Sequence, residues 1–218
     1  MLNLLYKEFK VSIHPLFFLV AVLASALMLI PGWLYFIVLL YFAFISIPNI
    51  FAAYKTQNDL MFSLLLPVRR QEIVQARMNA IILLELAHIL LTLIFTIIHH
   101  LLYNLPMYIF VEPNMAFFGL VFLMFGLMNF SFFPLYFKSA HKYGLAAVAI
   151  NAVGVLFAAA VELLVLFNKT AHEIIHNTSG NYTQIHWFIL AGGILMFVVL
   201  NWFAYKLSLK EFEKVDVS

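Results

Sequence analysis

The sequence predicts an all-α integral membrane protein: six transmembrane helices, both termini cytosolic, and an amphipathic N-terminal helix at the interface. Three observations predict it. Of the 218 residues, 65% are hydrophobic and only 10% charged. Soluble domains run at about 45–50% and about 25%, and a core of this size cannot hide such an excess from water. Six apolar stretches approach or exceed the roughly 20 residues a helix needs to cross about 30 Å of hydrocarbon. The basic residues then gather on one side. A closed barrel is disfavoured, because the runs lack strict alternation and are about twice as long as a tilted strand requires.

Residues 1–14 read as an interfacial helix. Leu2, Leu5, Phe9 and Ile13 share one face, and Asn3, Lys7, Lys10 and His14 share another. A plain cytosolic end with snorkelling lysines is the other reading. No small-residue cleavage site follows the first apolar run, which turns at Pro31-Gly32 instead, so a cleaved signal peptide is not expected. The expected spans are about 15–32, 34–53, 79–101, 115–137, 144–167 and 186–206. With a cytosolic N-terminus the inner side holds Lys7, Lys10, Lys55, Arg69, Arg70, Arg77, Lys138, Lys142, Lys206, Lys210 and Lys214, while Lys169 alone is outside. That asymmetry follows the positive-inside rule and checks the span count, since one helix more or fewer would scatter the charges. Trp33, Tyr35, Trp187 and Trp202 stand near span ends, as interfacial anchors do. A formal net charge of +2 gives no reason to expect nucleic acid, and with no cysteine neither a disulfide nor a thiolate metal site is available.

The largest cytosolic feature is the segment 54–78, and no loop is long enough to fold alone, so 1–218 reads as one membrane domain. Asp59 through Leu66 is too apolar to face water on all sides. It reads either as an interfacial helix or as a docking element. Pro67 suits the first turn of a second short helix, where no backbone donor is missed. The apolar run into Leu66-Pro67-Val68, followed by Arg69-Arg70 and then Glu72-Ile73, resembles the coupling segment of type-2 ABC exporter permeases. Within that family the chain is most similar to the short permeases of bacterial peptide exporters, such as those of phenol-soluble modulins. The likeness extends to the basic N-terminal helix, the six spans and the longer outer segment before the last span. It implies that Asp59, Leu66, Pro67, Val68, Arg69, Arg70, Glu72 and Ile73 couple the chain to an ATPase. Arg69 departs from the many relatives with a small hydroxyl residue there. The resemblance further implies a bacterial cytoplasmic membrane, two ATPase subunits, a second permease copy (a homodimer) and an amphipathic peptide, antimicrobial or lipid-like cargo. No Gly-x-x-x-x-Gly-Lys-Ser/Thr loop is present to cradle phosphates. No cofactor is therefore expected in this chain, ATP and Mg belonging to the partner, and the chain is not expected to be an enzyme.

Polar residues within the spans are the remaining candidates. An ionised side chain at mid-bilayer costs roughly 2.5–3.5 kcal/mol on insertion scales. Glu85, about 12 Å beyond Arg77 by helical rise, shares a face with His88; the two either line a translocation pathway or brace the bundle through a Glu–His hydrogen bond. Glu162 is expected near the outer interface and is the third candidate for the translocation pathway. Gly154 and Ala158 form a small-x-x-x-small pair in the fifth span, which permits close helix approach within the chain or between protomers; the resemblance places this span near the dimer interface. The outer loop 168–185 carries His172-Glu173-Ile-Ile-His176, a pattern that on a helix can present two imidazoles to zinc with a glutamate as general base. A membrane zinc hydrolase is thus the alternative function, although a catalytic zinc needs a third protein ligand. His186, Glu162 and Glu112 fit no established spacing for it. Asn168, Asn177 and Asn181 each begin an Asn-x-Ser/Thr pattern, relevant only in a eukaryotic secretory pathway.

Overall fold

The computed structural model describes residues 2–12, 16–57, 59, 63, 68–103, 109–139, 142–177 and 180–215. Among them the chain is helical, with no strand. Helix α1 spans Leu2–Ser12. Helix α2 spans Leu16–Ala26 and tightens into a 3-10 turn at Leu27–Leu29. Helix α3 is Tyr35–Thr56, α4 Arg70–Leu102, α5 Met115–Ser139, α6 Gly144–Phe167, α7 Lys169–His176 and α8 Thr183–Glu213.

Five of these helices, α3, α4, α5, α6 and α8, are long and apolar enough to cross a membrane, and Phe17–Leu29 is a shorter apolar helix. The expected first span therefore falls short of the usual length. Its end is set by the Pro31-Gly32 turn, where Gly32 takes φ 72°, a backbone region that glycine enters without strain. Tyr35 is corrected from interfacial anchor to core: it is fully buried, and its hydroxyl donates to the Ile30 carbonyl at 3.1 Å, closing that turn.

The other spans are longer than expected. α4, at 33 residues, starts well before 79, and α8, at 31 residues, runs past 206. At 1.5 Å per residue each measures roughly 45–50 Å, so both overhang a bilayer core. The segment between α3 and α4 shrinks from 54–78 to 57–69. Within α3, Phe42–Ser46 is a π-helical turn, and the Ile47 amide reaches back to the Phe42 carbonyl. Pro48 explains it: a proline in a helix has no amide to donate and crowds the carbonyl four residues earlier, and a widened turn relieves both. Asn49 Nδ2 then satisfies the Ile45 carbonyl at 2.8 Å.

α5 is central, packed on α8 and α6. The α5–α8 seam is made by glycine. A Cβ on Gly193 would run into the backbone of Gly119, and one on Gly119 into the backbone of Ile189 and Leu190. One on Gly126, two turns on, would sit 3.1 Å from Phe197 Cα. Without hydrophobic driving force in lipid, such backbone approach is how helices gain packing contacts. α2 and α4 meet through Ser25 and Thr92, whose hydroxyls lie 3.3 Å apart.

Candidate coupling site

At the basic end of the bundle, α1, the segment after α3 and the base of α4 converge on Arg77. Arg77 is completely buried. Its Nη1 donates to the Tyr136 hydroxyl at 2.8 Å, its Nε to Glu8 Oε2 at 3.4 Å and its Nη2 to Asp59 Oδ2. Its guanidinium lies 3.9 Å over the Tyr54 ring. Lys7 Nζ completes the cluster, donating to Asp59 Oδ1 at 2.7 Å and to Ser63 Oγ at 2.6 Å, with Glu8 Oε1 at 3.2 Å. Two cations thus face two carboxylates, and every charge has an opposite neighbour. Buried charges persist only on that condition. The result is a knot tying the N-terminal helix and Asp59 to α4 and, through Tyr136, to α5.

Among the expected coupling residues, Leu66 and Pro67 lie outside the described residues. Asp59 joins the knot. Val68 is half-buried, and Arg69 is exposed at the N-cap of α4. Arginine has no acceptor to offer the helix, but Glu72 Oε2 accepts from the Arg69 amide at 3.0 Å, making one half of a capping box. Glu72 also suits the positive N-terminal end of the helix dipole. Ile73, 2% exposed, is core. Arg70 turns inward: its Nη1 donates to the carbonyls of Phe212, Glu213 and Val215, each at 3.2 Å, and its guanidinium covers the Phe212 ring. It adds a donor to carbonyls at and just beyond the end of α8, where the helix runs out of its own. Arg69 is therefore the arginine of the pair that faces outward.

The intramembrane candidates do not converge. Glu85 and His88 make no hydrogen bond to each other, which corrects the bracing pair. Glu85 Oε2 accepts from Asn129 Nδ2 at 2.7 Å, and Asn129 Nδ2 also reaches Asn201 Oδ1 at 3.1 Å. His88 Nε2 contacts the Val38 carbonyl at 3.0 Å. Glu162, expected near the outer interface, is buried there: its Oε2 accepts from the Val111 amide at 3.1 Å, pinning the 109–114 strap to α6. Gly154 and Ala158 are buried within this chain, where a Cβ on Gly154 would meet Leu40 Cδ2 at 2.6 Å and Met128 Sδ at 3.0 Å. Their small size serves the packing of α6 on α3 and α5.

At the opposite end, His172 and His176 stack with ring centroids 4.2 Å apart on α7. His176 Nδ1 stands 4.0 Å from Glu112 Oε2, while His186 Nε2 is engaged by the Ile174 carbonyl at 2.8 Å. Glu173 is exposed. Among the described residues no group of three or more His, Asp or Glu side chains is arranged to hold a metal, so the third ligand of a catalytic zinc is not assembled. Burial, and then His172, pushes the His176 imidazole down to about 4 from 6.5. Burial chiefly raises the Glu112 carboxyl, against the lowering pull of His100. At neutral pH His176 is therefore uncharged. Its folded value lies below its unfolded one, so its contribution to stability is present above about pH 6.5 and lost as pH falls through about 4. Glu112 acts in the opposite sense. We expect the protection of amides in 169–176, taken relative to their intrinsic exchange rates, to fall on acidification across that window. In a Glu112→Gln background, His176→Gln should abolish the change; an unaltered pH profile would refute the assignment.

The sequence reading missed Lys7 and Arg77 as partners of Asp59, with Glu8 and Tyr136 beside them. The available signal was charge arithmetic, because Glu8 and Asp59 are acids set in otherwise basic or apolar surroundings. No curated protein and no solved structure matches the chain. A family model described as ABC-2 family transporter protein matches residues 3–213.

Proposed function

Because the chain belongs to the ABC-2 transporter family, we propose that it is the membrane permease of an ABC exporter, driven by ATP hydrolysis in a separate subunit. Two copies, forming a homodimer in a bacterial cytoplasmic membrane, would engage two ATPases and move an amphipathic peptide, antimicrobial or lipid-like cargo. The segment 57–69 is the docking element, with Leu66, Pro67, Val68 and Arg69 toward the ATPase.

The observation that carries this reading is the Arg77 knot. A docking segment transmits force only if it is anchored to the helices it must move, and Asp59, within that segment, is held by Lys7 from α1 and Arg77 from α4. A nucleotide-driven push would reach the bundle through those bonds as a rigid-body switch. ATP must then favour one state over the other by its differential binding.

Gentle purification from a native host followed by mass spectrometry tests the proposal. An ATPase at a one-to-one ratio is expected, and repeated absence of any ATPase would sink it. Arg69→Glu should lower ATPase recovery or transport-linked ATP turnover by about tenfold while the permease itself stays folded. Arg70→Glu is a poorer probe, since it would also uncap α8.

A further inference from the structure

The inward face of α4 changes character at Glu85. Toward the basic end it continues as Ile81, Met78 and Val74, all buried and apolar. Toward the outer end it continues as His88, Thr92, Thr96 and His99, all buried and polar. Steps of three and four residues keep this row on one side of the helix, and from Glu85 to His99 it covers roughly 21 Å by helical rise. Polar side chains inside a membrane bundle are costly, and chains of Glu and His there mark proton relays.

Around Glu85 the hydrogen bonds do not close. Its Oε2 accepts from Asn129 Nδ2, and His88 Nε2 lies 3.0 Å from the Val38 carbonyl. A carbonyl only accepts, so Nε2 carries the imidazole hydrogen and Nδ1 offers a lone pair. Glu85 Oε1, Asn129 Oδ1 and His88 Nδ1 are all buried without a partner. With Glu85 ionised these would be three acceptors and no donor, beside a charge that no cation balances. Arg77, the nearest cation along α4, is held in its knot. α2 carries no charged residue, Lys55 of α3 and Lys138 of α5 stand at the basic ends of their helices, and Lys206 of α8 is exposed. A proton on Glu85 Oε1 removes the charge and supplies the missing donor. Of the two acceptors then left, an amide oxygen is scarcely basic, whereas an imidazole nitrogen can take the proton.

We propose that Glu85 and His88 form a proton-exchange site within the membrane, open to the outer side along the polar face of α4. At rest the proton sits on Glu85 Oε1. The two groups stand one helical turn apart without a hydrogen bond, so transfer follows a rotation of the Glu85 side chain. The O–H bond then breaks and His88 Nδ1 gains the hydrogen. The carboxylate left behind keeps the Asn129 donor, and the imidazolium keeps its Nε2–H on Val38. The hydroxyls of Thr92 and Thr96, each able to accept and donate, continue the path toward His99, while the apolar run from Ile81 to Val74 closes the other direction.

Infrared spectroscopy of the full chain in nanodiscs at neutral pH tests the site. A protonated-carboxyl C=O stretch should be lost in Glu85→Gln, and the difference from wild type leaves out Glu112 and Glu162. Asn129→Leu should keep the band but raise its frequency, because the carbonyl oxygen loses its donor. On transfer to D2O the band moves down as O–H becomes O–D, and the rate of that move reads proton exchange. His88→Leu should slow it about a hundredfold, the lower end of what a positioned proton carrier contributes. Thr96→Val should slow it as well, and Ile81→Val, on the apolar side, should leave it unchanged. The proposal is overturned if Glu85→Gln removes no band, if the band stays in place in Asn129→Leu, or if His88→Leu exchanges as fast as wild type. No nucleotide or ATPase enters the measurement, so its failure and that of the exporter reading are separate results.

Discussion

Arg77→Leu should destabilise the protein by about 3–5 kcal/mol, the usual cost of removing one partner from a buried ion pair. Glu8 and Asp59 would keep their charges in a space that Arg77 had neutralised, with only Lys7 remaining, and Tyr136 would lose its donor. The loss should appear as a lower melting temperature in detergent and as faster proteolysis near Asp59. The larger test is restoration. Combining Arg77→Leu with Glu8→Gln and Asp59→Asn removes the stranded charges and should recover most of the stability, because a neutral, well-packed site can equal an ion pair. Transport should not recover with it if the knot conveys motion. Should the triple variant be no more stable than Arg77→Leu, charge balance would not be what holds this end together.

Gly193→Leu should be the most damaging single change in the hydrophobic part of the molecule. The backbones of α5 and α8 touch at Gly193 and Gly119, so any side chain must force the helices apart along the seam that also seats Gly126 on Phe197. Overpacking commonly costs about 1–3 kcal/mol when side chains can yield; here the obstacle is main chain, and the expected loss lies at or beyond the upper end of that range. Gly193→Ala should already be harmful. At Gly192, the adjacent residue, a Cβ would find no atom within 4 Å, so Gly192→Ala should be neutral or mildly stabilising through better helix propensity. Monodisperse yield by size-exclusion chromatography would rank the three variants. Equal yields for Gly192→Ala and Gly193→Ala would remove the case for the seam.

Hydropathy carried most of the architecture because lipid imposes one rule on every crossing: backbone groups must be satisfied within the helix. The runs behind α5 and α6 were readable almost to the residue for that reason. The ends of α4 and α8 were not, since beyond the bilayer a helix continues for other causes. For α4 the cause is Glu72 on the Arg69 amide; for α8 it is Arg70 on the last carbonyls, a partnership 142 to 145 positions apart along the chain. Asp59 was recognisable as a member of the expected docking segment, but Lys7 and Arg77 stood among basic residues that the positive-inside rule had already accounted for. The same rule that oriented the chain thus concealed which of its cations were structural. Counting rise along α6 gives the depth of Glu162 but says nothing of the strap at Val111 that folds over it.

Arg70 has a mechanical consequence. It opens one helix and grips the closing turn of another, so α4 and α8 share a single fulcrum. A displacement of the start of α4 would therefore pass directly to the end of α8.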